Sequence, residues 1–262
     1  SDPSFISVPL ERKSPPYAVR KEGEPRGPVM AVLNVCRRRD GRPFTERELK
    51  TLNVVANHAA AALENVRLIR DIERHHMSTM ESMVLLLEAR DPYTRHHSQR
   101  VRDVSVAIAR KLGLSSEEVE TARIGATFHD IGKVGVPDRV LNKSGPLTEE
   151  EWELIKRHPL VAYDVLQPIP FITAGHLQIV RSHHEHMDGT GYPDGLKGDE
   201  IPMLARVVSV ADVYDAMASD RAYRPALSTT QIVAEFRKAS GVYYDPEIVN
   251  VALDMIQTGV LD

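Results

Sequence analysis

The apolar residues near the start of the chain form two short runs typical of strands. Residues 4–10 (SFISVPL) and 29–35 (VMAVLNV) are rich in β-branched and apolar side chains and predict two strands. The polar, proline-rich segment between them predicts a loop. Because two strands do not form a stable sheet by themselves, we expect the rest of this sheet to be missing or to come from a partner.

A long helical repeat follows the second strand. Thr45, with Glu48 three residues later, predicts a capped helix start. The apolar positions then recur every three or four residues, at Leu52, Val55, Ala59, Ala62, Val66, Ile69, Met80, Met83 and Leu87. Glu73 and His76 interrupt the repeat. This spacing predicts either a coiled coil or a helix packed within the domains, and a homodimer joined through it is our working hypothesis.

The rest of the chain has helical periodicity almost throughout. Residues 93–112 and 204–217 have apolar positions at helical spacing, and the first of these segments ends at Gly113. Capping patterns predict three further helix starts, at Ser115 with Glu118, Thr148 with Glu151 and Ser228 with Gln231. A last helix should begin at Asp245-Pro246. The sequence therefore predicts a mainly α fold whose larger part is a helical bundle.

Composition narrows the class of protein. The 262 residues are 42% hydrophobic and 27% charged, which permits one large or two smaller globular domains. The formal net charge of −4 provides no basic surface for a nucleic-acid polymer. One cysteine, Cys36, excludes an internal disulfide and agrees with a reducing compartment. No apolar run is long enough to span a membrane, so we expect a cytoplasmic protein without a membrane segment in this chain.

The candidate chemistry is a set of histidines and aspartates between residues 128 and 215. It begins with an adjacent His-Asp pair in FHDIGK, and its members are His129, Asp130, His158, His183, His184 and Asp212. Nitrogen and oxygen donors without a thiolate suit Fe, Mn, Ni, Co or Zn. Six ligands are too many for one open catalytic ion and fit two divalent ions that share a carboxylate and a water.

Single residues of this set have plainer interpretations. A lone histidine on a helix is more often a core or surface residue than a metal ligand. Adjacent residues of a helix point about 100° apart, so His183 and His184 fit best as one ligand to each of two ions. Asp130 is our candidate for the bridging carboxylate. Lys133, four residues after His129, should reach a phosphate oxygen held at the metals, unless it is a solvated helix-terminal lysine.

The order of these motifs, HDIGK followed by HHExxDGxGYP, closely resembles the HD-GYP family of metal-dependent cyclic di-GMP phosphodiesterases within the HD superfamily. The resemblance implies an HD-type bundle with a bimetal site at residues 91–262, joined by a linking helix at 67–90. Residues 1–66 resemble the C-terminal half of an α/β GAF sensory domain.

The resemblance also implies roles for individual residues. Asp130 and Lys133 would be catalytic, and the six ligands would hold two divalent ions, with Fe or Mn favoured over Ni, Co or Zn. The residues expected at the substrate are Lys133, His97, Arg221, Arg224, Asp215 and Tyr192. The GYP loop would be shaped by Gly189, Gly191 and Pro193. Tyr192 itself could stack, hydrogen-bond or anchor that loop.

One position departs from the family pattern. Members that bind a third metal supply a glutamate one turn before the residue matching His97, and this chain has Tyr93 there. We therefore expect two metals, and pGpG rather than GMP as the main product of cyclic di-GMP hydrolysis in bacterial second-messenger signalling.

Other functions stay open. A hydrolase of another nucleotide, including a hybrid cyclic dinucleotide, and a non-hydrolysing receptor for cyclic di-GMP are alternatives, although a receptor has no need of a complete bimetal set. The family also implies a GGDEF-type diguanylate cyclase as a partner of the GYP loop.

Overall fold

The computed structural model of the chain describes residues 5–11, 29–36, 44–90, 96–143, 145–220 and 225–261. Three positions singled out in the sequence, Tyr93, Arg221 and Arg224, lie outside these residues. The chain divides into two compact units, Ser1–Met77 and Ser78–Asp262. Among the described residues, no helix combines the length and the apolar character that crossing a bilayer requires.

The first unit contains the two predicted strands. Strand β1 (Phe5–Glu11) pairs antiparallel with β2 (Val29–Cys36), which confirms both predictions to within one residue at each end. One face of the pair is covered by a helix, because Val8 and Leu10 are buried together with Ala56 and Ala60. In the described residues this helix supplies the packing that two strands need. The resemblance to a GAF domain stays a prediction.

Helix α1 (Glu46–Glu88) is continuous over 43 residues. It begins at the predicted cap, where the Thr45 amide donates to the Glu48 carboxylate at 2.8 Å. Several positions of the 3,4 repeat are open to solvent, and among them Val55, Val66, Ile69 and Met83 are 48–56% exposed. The last turns are different, since Val84 and Glu88 are buried.

The second unit is a helical bundle, as the sequence predicts. Its helices are α2 (His97–Lys111), α3 (Ser116–Phe128), α4 (Asp138–Leu141), α5 (Glu149–Lys156), α6 (His158–Leu166), α7 (Ala174–Ser182), α8 (Met203–Ala218), α9 (Thr229–Ala239) and α10 (Pro246–Gln257). The three predicted capping boxes are present, at the starts of α3, α5 and α9. Asp245 caps α10 through the Glu247 amide. The main core is formed chiefly by α2, α8 and α10, with Val207, Ile248 and Val249 fully buried.

Two predicted helix limits differ from the structure. Helix α2 begins at His97, after His96 in a left-handed conformation. Residues 93–95 of the segment expected to be helical lie outside the described residues. The helix expected to run through His184 ends at Ser182, and His183 closes it. His97 and His183 therefore lie at helix ends, where the chain can turn their side chains inward.

A close backbone contact brings two ligand segments together. A Cβ atom at Gly132 would lie 1.9 Å from the His158 carbonyl oxygen and 2.6 Å from the Ala162 amide nitrogen. Because glycine has no Cβ, the 3-10 helix Ile131–Gly135 packs directly on the first turn of α6. This contact places Asp130 beside His158.

Candidate metal centre

The six predicted ligands come from different elements and meet in the interior of the second unit. His129 and Asp130 follow α3, His158 begins α6, His183 and His184 follow α7, and Asp212 lies on α8. Together with His97 they form two sets, and within each set the ligand atoms lie within 4.8 Å of one another. The first set is Asp130, His158, His183 and His184, and the second is His97, His129 and Asp212. One tertiary structure therefore gathers the whole predicted set and adds His97 to it.

Three of the imidazoles are held in the same way. Nδ1 of each ring lies at hydrogen-bond distance from the carbonyl oxygen three residues earlier, at 2.7 Å for His129, 2.8 Å for His158 and 2.9 Å for His183. A carbonyl oxygen only accepts, so Nδ1 must carry the proton in each ring. The Nε2 lone pairs are consequently free to bind a cation, in the arrangement that backbone carbonyls impose on metal-binding histidines.

These lone pairs face acceptors rather than donors. Nε2 of His158 lies 3.4 Å from Nε2 of His183 and 3.2 Å from Oδ1 of Asp130. His129 Nε2 and Asp130 Oδ1 are buried and have no hydrogen-bond partner in the described structure. Buried polar atoms without partners are costly, and a cation among them would satisfy them together. The residues present therefore fit bound divalent metal.

Burial keeps three of the candidate ligand histidines neutral. It lowers the pKa of His158 to about 4 and that of His184 to about 3, and it holds the pKa of His183 well below its usual value. Neutral imidazole is the form that binds metal, so these rings are ready to act as ligands at neutral pH.

The two carboxylates stay ionised. Burial by itself would raise the pKa of Asp130, but Lys133 and His129 outweigh it and hold that pKa well below its usual range. Burial likewise opposes the ionisation of Asp212, and the hydrogen bond and charge of His97 overcome it, so the pKa of Asp212 is strongly lowered. Negative charge therefore persists between the rings.

The ammonium of Lys133 lies beside this charge. Its Nζ is 2.5 Å from Asp130 Oδ2, and its side chain is 23% exposed. The lysine is thus at the centre, bound to the predicted bridging carboxylate. Its contact with a phosphate stays a prediction.

His97 is closer to the centre than the sequence indicated. Its Nε2 lies 3.3 Å from Asp212 Oδ1 and 3.6 Å from Asp130 Oδ2. Burial disfavours the protonated ring, but Asp130, Asp212 and Asp215 outweigh burial and raise the pKa of His97 well above its usual value. His97 therefore lies between two carboxylates of the centre.

Asp215 contacts the Nδ1 side of His97, and Arg100 in turn holds Asp215. Asp215 is 4% exposed, its Oδ2 lies 2.7 Å from His97 Nδ1, and Arg100 Nε donates to its Oδ1 at 2.5 Å. These contacts favour a positioning role for Asp215 over the substrate contact that the sequence suggested. Sequence reasoning did not single out Arg100, although it lies three residues after His97 and so on the same helical face.

The GYP loop covers the other side of the centre. Tyr192 stacks on His184 with ring centroids 4.8 Å apart, and its amide donates to the His184 carbonyl oxygen. A Cβ at Gly191 would lie 2.4 Å from the His186 amide nitrogen, so the loop passes too close for any larger residue. Gly189 adopts a φ of +83°, and the Tyr192-Pro193 peptide bond is cis. In this structure the loop packs against the candidate ligand His184.

Glu185 holds the rest of that loop. This residue was not singled out in the sequence. It is 2% exposed, and its carboxylate accepts hydrogen bonds from the amides of Asp194, Gly195 and Leu196 at 2.7–3.1 Å. An acidic residue directly after two candidate ligands and before a glycine-rich loop was the available signal.

Comparison with known proteins connects this centre to described families. Residues 81–248 match the family described as HD domain. The chain is 40% identical over 187 residues to the cyclic di-GMP phosphodiesterase response regulator RpfG of Xanthomonas campestris pv. campestris, covering 71% of this chain and 49% of that protein. It is 37% identical over 163 residues to the 3'3'-cGAMP-specific phosphodiesterase 3 of Vibrio cholerae, covering 62% of this chain and 35% of that protein.

A solved structure shows the same fold. Bd1817, an HDG"Y"P protein from Bdellovibrio bacteriovorus, superposes with a TM-score of 0.53 at 23% identity, over 62% of this chain and 52% of that one. The chain spans half or less of the length of the two curated relatives.

Proposed function

Since the chain belongs to the HD domain family, we propose that it is a metal-dependent phosphodiesterase that hydrolyses the 3′,5′-phosphodiester bonds of cyclic di-GMP to pGpG. The observation that supports this most directly is the set of neutral rings whose Nε2 atoms face Asp130 and one another without a donor. The cyclic di-GMP phosphodiesterase of Xanthomonas supports the choice of substrate.

The proposal assigns the two sets of donors to two ions. Asp130 is the proposed bridge, because its Oδ1 faces His158 at 3.2 Å while its Oδ2 faces His129 at 3.4 Å. His183 and His184 complete one set, and Asp212 completes the other. Bound metal ions would lower the pKa of a water molecule and stabilise negative charge on the phosphate. A donor set without thiolate suits Fe or Mn, with Ni, Co or Zn as alternatives.

The chain's own residues would bind and orient the substrate. Lys133 lies beside Asp130 with part of its side chain exposed, so its ammonium can turn to a phosphate oxygen. Arg221 and Arg224, outside the described residues, remain our candidates for further phosphate or guanine contacts. Tyr192, stacked on His184, would form one wall of the site and keep water from that ligand.

Product analysis tests this function. The protein would be reconstituted anaerobically with Mn²⁺ or Fe²⁺, incubated with cyclic di-GMP and examined by chromatography. We expect pGpG from the wild type and from Asp103→Ala, an exposed control on α2, and none from Asp130→Ala. Nucleotide binding without turnover under either metal would overturn the hydrolase and favour a receptor. Accumulation of GMP instead of pGpG would overturn the proposed product.

A hybrid cyclic dinucleotide is the second candidate substrate. It is favoured by the 37% identity to a Vibrio protein named for 3'3'-cGAMP. Competition between cyclic di-GMP and 3'3'-cGAMP in one reaction would measure the ratio of their kcat/KM values directly. A ratio in favour of 3'3'-cGAMP would replace the proposed substrate and leave the proposed bond chemistry unchanged.

We also propose a homodimer through α1. Its exposed apolar positions include Val55, Ile69 and Met83, which recur at multiples of seven residues as a coiled-coil seam requires. Ile69→Glu should convert the dimer to a monomer in light scattering, and Arg70→Glu, an exposed neighbour on the same helix, should not. Wild-type protein that is monomeric at low micromolar concentration with its helicity intact would contradict the dimer.

The proposed partner and location follow from the signalling role. A GGDEF-type diguanylate cyclase is proposed to contact the GYP loop, and a cytoplasmic location is proposed because cyclic di-GMP is an intracellular messenger. Titration of a purified GGDEF domain into the protein by calorimetry tests the partner. Absence of heat with an active, folded protein would contradict it.

A further inference from the structure

The start of α2 is held by a carboxylate from the end of α1. Glu88 Oε2 accepts a hydrogen bond from the His96 amide at 2.8 Å, and Oε1 accepts one from the Ser98 amide at 2.7 Å. The first amides of a helix have no partner within it and need a cap. The residue in the cap position, His96, makes no side-chain cap hydrogen bond, so α2 takes its cap from α1.

His97 lies between the two amides that Glu88 binds. The same residue places Nδ1 2.7 Å from Asp215 and Nε2 3.3 Å from Asp212. Glu88 therefore fixes the backbone on both sides of His97, and Asp215 fixes the ring. Metal and catalytic sites require side chains held to within about 0.5 Å, which such paired restraints achieve.

The backbone at this point also departs from local preference. His96 has a φ of 60°, in the left-handed region that residues other than glycine seldom adopt. The hydrogen bond from the His96 amide to Glu88 holds that conformation. Loss of this hydrogen bond would remove one restraint on the backbone directly before His97.

The end of α1 borders the centre itself. A small cavity is lined by Val84, Leu87 and Glu88 together with His97, Asp130 and Lys133. Glu88 is 7% exposed, so its carboxylate is enclosed in this contact rather than solvated. A rotation or axial shift of the last turn of α1 would thus move the groups that hold His97.

We propose that Glu88 is a positioning residue for His97, through which the end of α1 sets the geometry of the metal centre. This inference rests on the proposed function for its effect on turnover. It adds to that function a defined mechanical connection from the long helix to one side chain of the centre.

Glu88→Gln tests the connection, with Glu73→Gln on the exposed surface of the same helix as the matched control. Three quantities are measured: imidazole NMR resonances of His97 in metal-free protein, Mn²⁺ affinity by calorimetry, and kcat with cyclic di-GMP. We expect Glu88→Gln to shift the His97 resonances and to reduce Mn²⁺ affinity and kcat on the order of 10-fold. Glu73→Gln should change none of them. Unchanged His97 resonances and Mn²⁺ affinity in Glu88→Gln would overturn the proposal.

A second variant separates positioning from simple capping. In Glu88→Gln/His96→Asp the helix receives an N-cap carboxylate of its own, which should restore thermal stability. If Glu88 positions His97, the Mn²⁺ affinity and the His97 resonances stay altered despite that stability. Recovery of both together with stability would show that Glu88 only caps α2, and the proposal would fall.

These readouts separate this inference from the proposed function. The resonances and the Mn²⁺ affinity are measured without nucleotide, so they apply even if cyclic di-GMP is not hydrolysed. Altered resonances and affinity in an inactive wild-type background would support Glu88 and count only against the hydrolase.

Discussion

Asp215 and His97 form a buried pair in which the carboxylate orients the ring. Asp215 Oδ2 lies 2.7 Å from His97 Nδ1, which turns Nε2 of the same ring to Asp212 at 3.3 Å. Arg100 holds the other oxygen of Asp215. The side chains of Asp215, Arg100 and Asp212 thus determine the position of the His97 ring. Residues that hydrogen-bond to metal-binding histidines orient those rings in the same way.

Asp215→Asn should weaken the centre without removing a proposed ligand. The amide keeps one acceptor oxygen but loses the charge that holds both His97 and Arg100. We expect Mn²⁺ affinity and kcat to fall about 10- to 100-fold. Calorimetry and product formation measure the two quantities, with the exposed Asp103→Asn as control. Wild-type values for a folded Asp215→Asn protein would contradict the role assigned to this pair.

Metal should stabilise the protein against heat. A ligand that binds only the folded state stabilises it by about 2.7 kcal/mol at a free concentration 100 times its Kd. We therefore expect Tm of the metal-free protein to rise with Mn²⁺ and to rise far less in Asp130→Asn. Asp254→Asn, an exposed position on α10, serves as control and should respond as the wild type does. An equal rise in Asp130→Asn would show that Mn²⁺ binds elsewhere.

The metal-free protein should lose stability as the pH falls from about 6.5 towards 4. In this window the unfolded chain protonates His158, while burial keeps its folded pKa at about 4, so the unfolded state binds more protons and stability rises with pH. At pH 5 the loss is about 2 kcal/mol from His158 alone. His97 has the opposite shift: its raised pKa contributes stability that is full below its unfolded pKa and is lost as pH rises through the folded value.

Urea unfolding at pH 6.5 and pH 5 measures this loss. Replacing the buried ring in His158→Gln should reduce the difference between the two pH values, and replacing the exposed ring in His58→Gln should leave it as in the wild type. Equal or greater stability of the wild type at pH 5 would contradict the assignment of neutral, buried rings.

Gly191→Ala should displace the GYP loop from the centre. The added Cβ would lie 2.4 Å from the His186 amide and 2.6 Å from the His184 carbonyl oxygen, so the backbone has to move. We expect Tyr192 to lose its stacking on His184, with kcat reduced about 10-fold or more. Gly145→Ala is the matched control, because a Cβ there meets no atom within 4 Å. Full activity in Gly191→Ala would show that the loop position is not needed for turnover.

Local sequence was sufficient for most of the secondary structure. Both strands, the start of α1 at Thr45 and the capping boxes at Ser115, Thr148 and Ser228 were predicted from residues within a few positions of one another. The mainly α class was predicted for the same reason. The predicted helix limits were wrong at His97 and His183. These limits depend on contacts with distant residues, including Glu88 for His97 and the other imidazole rings of the centre for His183.

The residue types of the candidate centre could also be predicted from the sequence. Buried histidines and aspartates are costly unless they are paired or bound to metal, so the adjacent His129 and Asp130 stood out by chemistry. His158 and Asp212 stood out through the joint pattern of the motifs. The placement of His97 between Asp130 and Asp212 could not be predicted from the sequence, because these residues come from separate elements. The supports Arg100, Glu88 and Glu185 are ordinary charged residues until the fold shows that two are buried and what each contacts.

The sequence by itself determined the helices, the strands and the donor chemistry, because periodicity, capping and ligand type are properties of residues close together in the chain. Only the tertiary structure decided which Nε2 atoms face one another, which carboxylate holds His97 and which helix end caps α2. Those relations depend on the packing of helices far apart in sequence, such as the contact at Gly132, where atoms meet at distances that no local pattern records.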